Sequence, residues 1–244
     1  MAKSKGDKQV ELSYFYVPDI KETKMLSESE AQHAIRVLRL QTGTLIHITD
    51  GQGRLYTGIL DGNNPKSATV TDLHLVREEL PYRPYLHVAI APTKNADRIE
   101  WTLEKLVEVG VDKVSFVVTD RTIRSRVNME RMERIMVAAV KQSEKLRTVE
   151  LDMVKGLDEF LKNDESDDKF IAYCGAEYER KELKDCFTKG RSATYLIGPE
   201  GDFTPEEVRD AVSAGYEVVS LGRERLRTET AGLYVGMLHQ ILND

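Results

Sequence analysis

Two segments near the C-terminus concentrate the residues that could do chemistry. Residues 193–208, "ATYLIGPEGDFTPEEV", run apolar and β-branched as far as Ile197 and stop at Gly198-Pro199-Glu200-Gly201. Residues 220–232, "SLGRERLRTETAG", stop in the same way at Leu221-Gly222, then carry Arg223, Arg225 and Arg227 before Thr228-Glu229-Thr230 opens a helix. Glycine at a strand end lets a ligand approach the backbone closely, and in α/β sheets ligands bind beyond the carboxyl ends of the strands. Neither segment contains a P-loop Gly-Lys-Ser/Thr or a GxGxxG, so phosphate cradling is not indicated. Glu200 argues against an anion at the first loop, where a neutral or cationic ligand fits better. Three neighbouring arginines are costly to bury unpaired. At a strand end they suit a polyanion or a polarised carbonyl; the plainer reading is a solvated surface with Glu224 and Glu229 as partners.

The elements that must position these loops can be read around them. Thr204-Pro205-Glu206-Glu207 is a helix start, with Thr204 as N-cap, Pro205 at the first helical position and Glu207 completing a capping box. "YLHVAIA", "KVSFVVT", "KFIAYC", "ATYLIG" and "EVVSLG" are apolar along their length and alternate with helical stretches, among them "NADRIEWTLEKLVEVG" and "NMERMERIMVAAVKQSEK". That pattern predicts an α/β unit with a parallel sheet covered on both faces. Trp101, spaced helically with Ile99 and Leu103, is expected in the core; Cys174 ends a strand and could line a pocket, with a buried, inert thiol the favoured expectation. The tract "KNDESDDK" is expected to be a surface loop. Gly232 and Gly236 in the last helix form a smooth stripe that suits a dimer contact or close packing against a loop.

Residues 1–80 read differently. Leu45–Asp50, Leu55–Leu60 and Ala68–Val76 are strand-like and separated by the turns "DGQGR" and "DGNNPKS". One helix interrupts them: "SESEAQHAIRVLRL" has a capping box at Ser27 and Glu30 and apolar Ala31, Ala34, Ile35 and Leu38 at helical spacing. A small barrel or sandwich with one helix is expected there. Pro81 and Pro84 mark the boundary, giving domains 1–80 and 81–244.

Bulk properties exclude several classes. A chain of 244 residues can bury a substantial core, and 41% hydrophobic with 31% charged residues is ordinary for a globular protein. No apolar run approaches a membrane span and the polar start MAKSKGDKQVEL is no secretory signal, so no membrane association is expected. Two cysteines fit a reducing compartment, and the location is read as cytoplasmic. The five histidines are dispersed, so no metal is expected. The net charge of −6 is patchy: residues 150–185 hold twelve acidic and six basic side chains, residues 121–147 eight basic and three acidic. A nucleic-acid partner must therefore be argued from local charge.

Together, "LIGPEG", "LGRERLRTETA", "KNADRIEWTLEKLVEVGV" and "HAIRVLRLQTG" resemble the ribosomal RNA small-subunit methyltransferase E family of the SPOUT superfamily, from about Tyr14 to Leu242. The resemblance implies a PUA-like β-barrel at the N-terminus and a SPOUT-type parallel sheet with a trefoil knot at the C-terminus, a knot that no residue pattern shows and that the rarity of threaded chains argues against. It also implies a homodimer, S-adenosyl-L-methionine as cofactor, and methylation of uridine N3 in the decoding region of 16S rRNA, free or in the small ribosomal subunit. By the matching motifs, Ile197, Gly198, Pro199, Gly201, Leu221, Gly222, Leu226, Thr228, Thr230 and Ala231 are expected to bind the cofactor. One departure stands out, Asp202 in place of the family's common second glycine, and a small change of loop shape is expected from it. For catalysis Arg227 is the candidate to stabilise the uracil anion, with Glu200 or Glu229 as proton acceptor. Arg36, Arg39, Lys94, Arg98, Arg124 and Arg126 are the candidate RNA contacts. Three other readings stay open: a non-catalytic RNA-binding protein with an inert SPOUT-like domain, an α/β enzyme acting on a small nucleotide, and a SPOUT enzyme with a different RNA target atom.

Overall fold

The computed structural model describes residues 12–80 and 84–244. The chain divides into two compact units between residues 80 and 81. The first contains β1 (Tyr14–Tyr16), α1 (Ile20–Thr23), α2 (Glu28–Gln32), a π-helical turn (His33–Val37), β2 (Leu45–Thr49), β3 (Arg54–Asp61) and β4 (Thr69–Glu78). Its sheet runs β1-β2-β3-β4, with β1 parallel to β2 and the other pairs antiparallel. Among the described residues no ladder joins β4 back to β1, so the strands expected to form a barrel are seen as a four-stranded mixed sheet. Both expected turns connect the expected strands. Three-residue β1 was not anticipated, being too short to display an alternation.

The core of this unit is Phe15, Ile20, Ile46, Ile48, Leu60 and Val70, with Ala31 and Ala34 packed in from the helix. Ser27 Oγ caps α2, accepting from the Glu30 N–H at 3.3 Å. Leu38, expected on the buried face, is 41% exposed. The cause is the change from α to π winding at His33, which shifts every later side chain off the 3.6-residue register. Arg39 then adopts a left-handed φ of 55° and ends the helical run.

The second unit is a three-layer α/β domain. Its strands are β5 (Leu86–Ile90), β6 (Lys113–Val117), β7 (Glu150–Val154), β8 (Asp168–Ala172), β9 (Lys181–Glu182), β10 (Ala193–Ile197) and β11 (Glu217–Ser220). All pairs are parallel, in the order β7-β6-β5-β10-β8-β11-β9. The helices are α3 (Ala96–Val109), α4 (Met129–Gln142), α5 (Leu157–Asn163), α6 (Leu183–Cys186), α7 (Pro205–Ser213) and α8 (Thr228–Asn243). Strand side chains point alternately to the two faces. Leu86, Val88 and Ile90 with Ala193, Tyr195 and Ile197 pack under α3, α4 and α8, while Ala89, Ile171 and Leu196 pack under α5 and α7. All five residues of β10 are buried.

Two expectations need correction here, and one strand is added. Trp101 is 43% exposed. The buried side of α3 is Ile99, Thr102, Leu103, Leu106 and Val107, and the indole falls outside that arc. The acidic tract is not wholly solvated: the Asp164 carboxylate takes hydrogen bonds from Thr194 Oγ1 at 3.0 Å and from the Tyr216 hydroxyl. Thr194 also lies 3.3 Å from His87 Nδ1, and burial lowers the His87 pKa to about 4, so that histidine stays neutral. Edge strand β7 was missed because only three of its five residues are apolar and none is fully buried.

The glycine stripe of α8 has a local explanation. A Cβ at Gly232 would stand 2.9 Å from Ile90 Cδ1, and one at Gly236 would stand 3.0 Å from Leu106 Cδ2. Their smoothness seats α8 on β5 and α3 within the same chain. Gly236→Val places branched carbons against Leu106 and Val109 and is expected to destabilise the protein by about 1–3 kcal/mol, read as a lower urea midpoint with an unchanged m-value.

Candidate functional site

Beyond the carboxyl ends of β8, β10 and β11 lies a cleft of about 690 Å³. Its position follows from strand order. β10 sits between β5 and β8, and β8 between β10 and β11, so the loops leaving β8, β10 and β11 emerge side by side. The first loop predicted from sequence supplies Ile197, Gly198, Pro199 and Glu200 to the wall; the second supplies Leu221, Gly222 and Leu226. The start of α8 supplies Arg227, Thr228 and Ala231.

Three of the predicted residues are not on that wall. Gly201 faces the opposite way, where its carbonyl accepts from Arg121 Nη1 at 2.9 Å. Thr230 is exposed on the outer side of the first turn of α8. Glu229 is buried behind the cleft, its Oε1 3.5 Å from Arg98 Nη1, and its Oε2 has no hydrogen-bond partner among the described residues.

Two hydrogen bonds set the loop geometry. Buried Thr228 Oγ1 donates to the Gly198 carbonyl at 2.9 Å, tying the start of α8 to the end of β10. Glu200 Oε1 accepts from the Lys94 N–H at 2.9 Å, so the segment between β5 and α3 is fixed to the same loop. Gly222 has φ 115°, and a Cβ there would meet nothing within 4 Å. That glycine is needed for its backbone angle, and its face of the cleft is left open.

The third wall is read from the sequence only as far as Cys174, where a pocket-lining role is set below a buried, inert thiol. Tyr173, Cys174, Gly175 and Arg180, from the loop after β8, complete the cleft. Nothing in "AYCGAEYER" has a recognisable motif; the signal available was its place at the end of a buried parallel strand. Cys174 is exposed rather than buried. Its thiol is pushed above the usual range, first by desolvation and then by the Asp202 charge, with Arg225 and Arg180 opposing.

The lining carries both signs. Arg180, Arg223, Arg225 and Arg227 face Glu200, Asp202 and Glu224, over an apolar floor that includes Ile197, Val219 and Leu226. Arg223, Arg225 and Arg227 form no ion pair or hydrogen bond through their guanidinium groups among the described residues, and Glu229 pairs with Arg98 instead. The solvated ion-pair reading of the arginine cluster therefore fails. Such a cleft suits a ligand that is itself zwitterionic or cationic with an apolar face, and it leaves guanidinium groups at the rim for developing negative charge.

The candidate RNA residues fall into separate places. Arg36 and Arg39 are exposed in the N-terminal unit. In the C-terminal unit, Arg124 and Arg126 line a shallow groove with Pro92, Ala96 and Asp97, beside the segment that carries Lys94 and Arg98. Among the described residues no group of three or more His, Cys, Asp or Glu side chains is placed to hold a metal ion. No described helix is long and apolar enough to cross a membrane.

Comparison with known proteins gives a consistent picture. Residues 79–240 match the RNA methyltransferase domain family, and residues 26–73 match the RNA methyltransferase PUA domain. The structure of a "probable rRNA-methyltransferase" from Porphyromonas gingivalis is 38% identical, with a TM-score of 0.87 over 95% of this chain and 98% of that one. A ribosomal RNA small subunit methyltransferase E from Neisseria gonorrhoeae, solved bound to S-adenosyl methionine, is 25% identical, with a TM-score of 0.79 over 95% and 98%. The Synechocystis ribosomal RNA small subunit methyltransferase E is 26% identical over 87% of this chain and 71% of its own.

The raised thiol has a measurable consequence. Below its pKa Cys174 is mostly protonated, so its alkylation rate is expected to keep climbing above pH 9.0, the ordinary value. Peptide mass spectrometry against pH checks this, with half-buried Cys186 labelling more slowly.

Proposed function

Since the chain belongs to the ribosomal RNA small-subunit methyltransferase E family of RNA methyltransferases, we propose that it methylates N3 of a uridine in the decoding region of 16S rRNA with S-adenosyl-L-methionine bound in the cleft described above. The observation that carries this reading is that single cleft, with glycine loops on its walls and unpaired arginines at its rim. The residues fit the cofactor. Its carboxylate, ammonium and sulfonium call for a lining of both signs, and its adenine for an apolar surface; Arg180, Arg225, Glu200, Ile197 and Leu226 offer them. When bound, the cofactor supplies an electrophilic methyl group on a sulfonium.

The chain's own task is to prepare the uracil. N3 carries a proton and becomes nucleophilic once it is lost. Arg227, free of other partners and on the cleft wall, stabilises the charge that then spreads to O2 and O4. Glu200 is favoured over Glu229 as the proton acceptor because Glu200 reaches the wall. Glu229 holds Arg98 instead. Arg124 and Arg126, with Lys94 and Arg98, provide phosphate contacts in the C-terminal unit, and Arg36 and Arg39 provide others in the N-terminal unit. The homodimer and the trefoil knot implied by the resemblance belong to the same proposal. For the dimer, α8 leaves Tyr234, Met237 and Ile241 exposed at 38%, 48% and 65% along one side. For the knot, the support is the late strand β10 lying between β5 and β8, with α8 tied to its end.

Mapping of methylated uridine by mass spectrometry, in small-subunit RNA incubated with protein and cofactor, tests the function. Methyl groups at a base atom other than N3, or on ribose, would overturn the stated target. Arg227→Ala is expected to lower kcat about 10²–10³-fold while cofactor affinity stays within a few-fold; matched losses in both would make Arg227 a binding residue. Replacing Arg124 and Arg126 together by alanine is expected to reduce the slope of log K against log salt by about 1.4–1.8, measured by filter binding.

A further inference from the structure

Asp202 bonds the loop after β10 to the loop after β8. Asp202 closes a turn, its N–H donating to the Pro199 carbonyl at 2.9 Å, with a left-handed φ of 61°. A side chain there costs about 1 kcal/mol or more in most residue types, and least for Asn and Asp. The carboxylate has two partners. Oδ1 accepts from the Phe203 N–H at 2.8 Å, and Oδ2 crosses to the loop after β8, accepting from the Cys174 N–H at 3.0 Å. The thiol of the same Cys174 also interacts with this carboxylate, so among the described residues the hydrogen bonds between residues 174–180 and residues 198–203 all run from Cys174 to Asp202. Of the other bonds of the β8 loop, one ties its first residue to the sheet, the Tyr173 N–H donating to the Val219 carbonyl at 3.3 Å, and two are internal: Arg180 Nη1 donates to the Tyr173 carbonyl at 3.2 Å, and the Tyr173 hydroxyl to Glu177 at 3.0 Å. The loop after β10 is anchored separately, by Arg121 Nη1 on the Gly201 and Phe203 carbonyls and by Phe203 buried against Gly198.

We propose that Asp202 is a positioning residue that fixes the Cys174–Gly175 wall against the Gly198–Gly201 loop and so sets the width of the cofactor cleft. A glycine at position 202 would satisfy the backbone angle and leave the Cys174 N–H unclamped. The carboxylate trades that conformational ease for a charge-assisted bond across the cleft. The inference rests on the reading of this cleft as the S-adenosyl-L-methionine site.

The test compares wild type, Asp202→Asn and Asp202→Gly in the full chain. Asparagine tolerates the left-handed angle and keeps one carbonyl oxygen, which serves the Cys174 N–H at the expense of the Phe203 N–H; glycine keeps only the angle. Without ligand, exchange of the Cys174 amide is expected to be about tenfold faster in Asp202→Gly and within about threefold of wild type in Asp202→Asn. Calorimetry is expected to show the affinity for S-adenosyl-L-methionine about tenfold weaker in Asp202→Gly and near wild type in Asp202→Asn. Unaltered exchange and affinity in Asp202→Gly would overturn the proposal. So would a loss of affinity in Asp202→Gly with Cys174 exchange unaltered, because the crossing bond would then not be what sets the cleft. If wild type binds no S-adenosyl-L-methionine while Cys174 exchange responds as expected, the cofactor reading fails and the clamp stands.

Discussion

The C-terminal unit depends on β10 being paired on both edges and covered on both faces. All five of its residues are buried, and parallel ladders run to β5 on one side and β8 on the other. A strand so enclosed can carry no charge and leave no backbone polar group unpaired, because each unpaired group would cost about 1–3 kcal/mol. The chain can therefore carry charge only where it leaves the sheet. Gly198-Pro199-Glu200-Gly201 begins at that exit, and the neighbouring strands β8 and β11 end beside it. The cleft is the space left by three buried strands ending together.

Having been placed, the loops are stiffened by bonds between them rather than by packing. Thr228 ties the start of α8 to Gly198, Glu200 ties the β5–α3 segment to the same loop, and Asp202 ties the loop after β8. All three bonds use a side-chain oxygen with a backbone group as partner, so they fix main-chain positions. That is the order a binding site for a flexible zwitterion needs, since each prearranged contact lowers the entropy cost of association. The arginines are left out of this arrangement. Arg223, Arg225 and Arg227 stay exposed, which avoids the desolvation cost of burial and keeps their charge for a partner.

How much of this the sequence displayed depended on the physical scale of the signal. The parallel strands were legible because burial on both faces forbids charged residues over several consecutive positions, as in "HVAI" and "ATYLI". The glycine loops were legible because a positive φ, as at Gly222, restricts residue choice. What could not be read was decided by a single distant partner. Asp164 looks solvated within "KNDESDDK" until Tyr216 and Thr194 are brought to it. Trp101 has helical spacing but faces out, a rotation of a few tens of degrees that periodicity does not resolve. The wall formed by Cys174 and Gly175 has no local motif at all; long-range strand order alone brings it to the cleft.

Charge poses the last question, since a chain of net −6 must attract a polyanion. Strand geometry answers it. The acidic tract precedes β8, at the amino ends of the parallel strands, while the cleft and its arginines lie beyond their carboxyl ends. β8 has five residues, and at about 3.3 Å per residue the two charge sets stand roughly 16 Å apart along the strand. At physiological ionic strength the screening length is about 8 Å. An RNA phosphate near Arg227 or Arg225 therefore feels those guanidinium groups strongly and the acidic tract weakly. The sheet acts as a spacer, and the sign of the whole chain does not decide the sign of the field at the cleft.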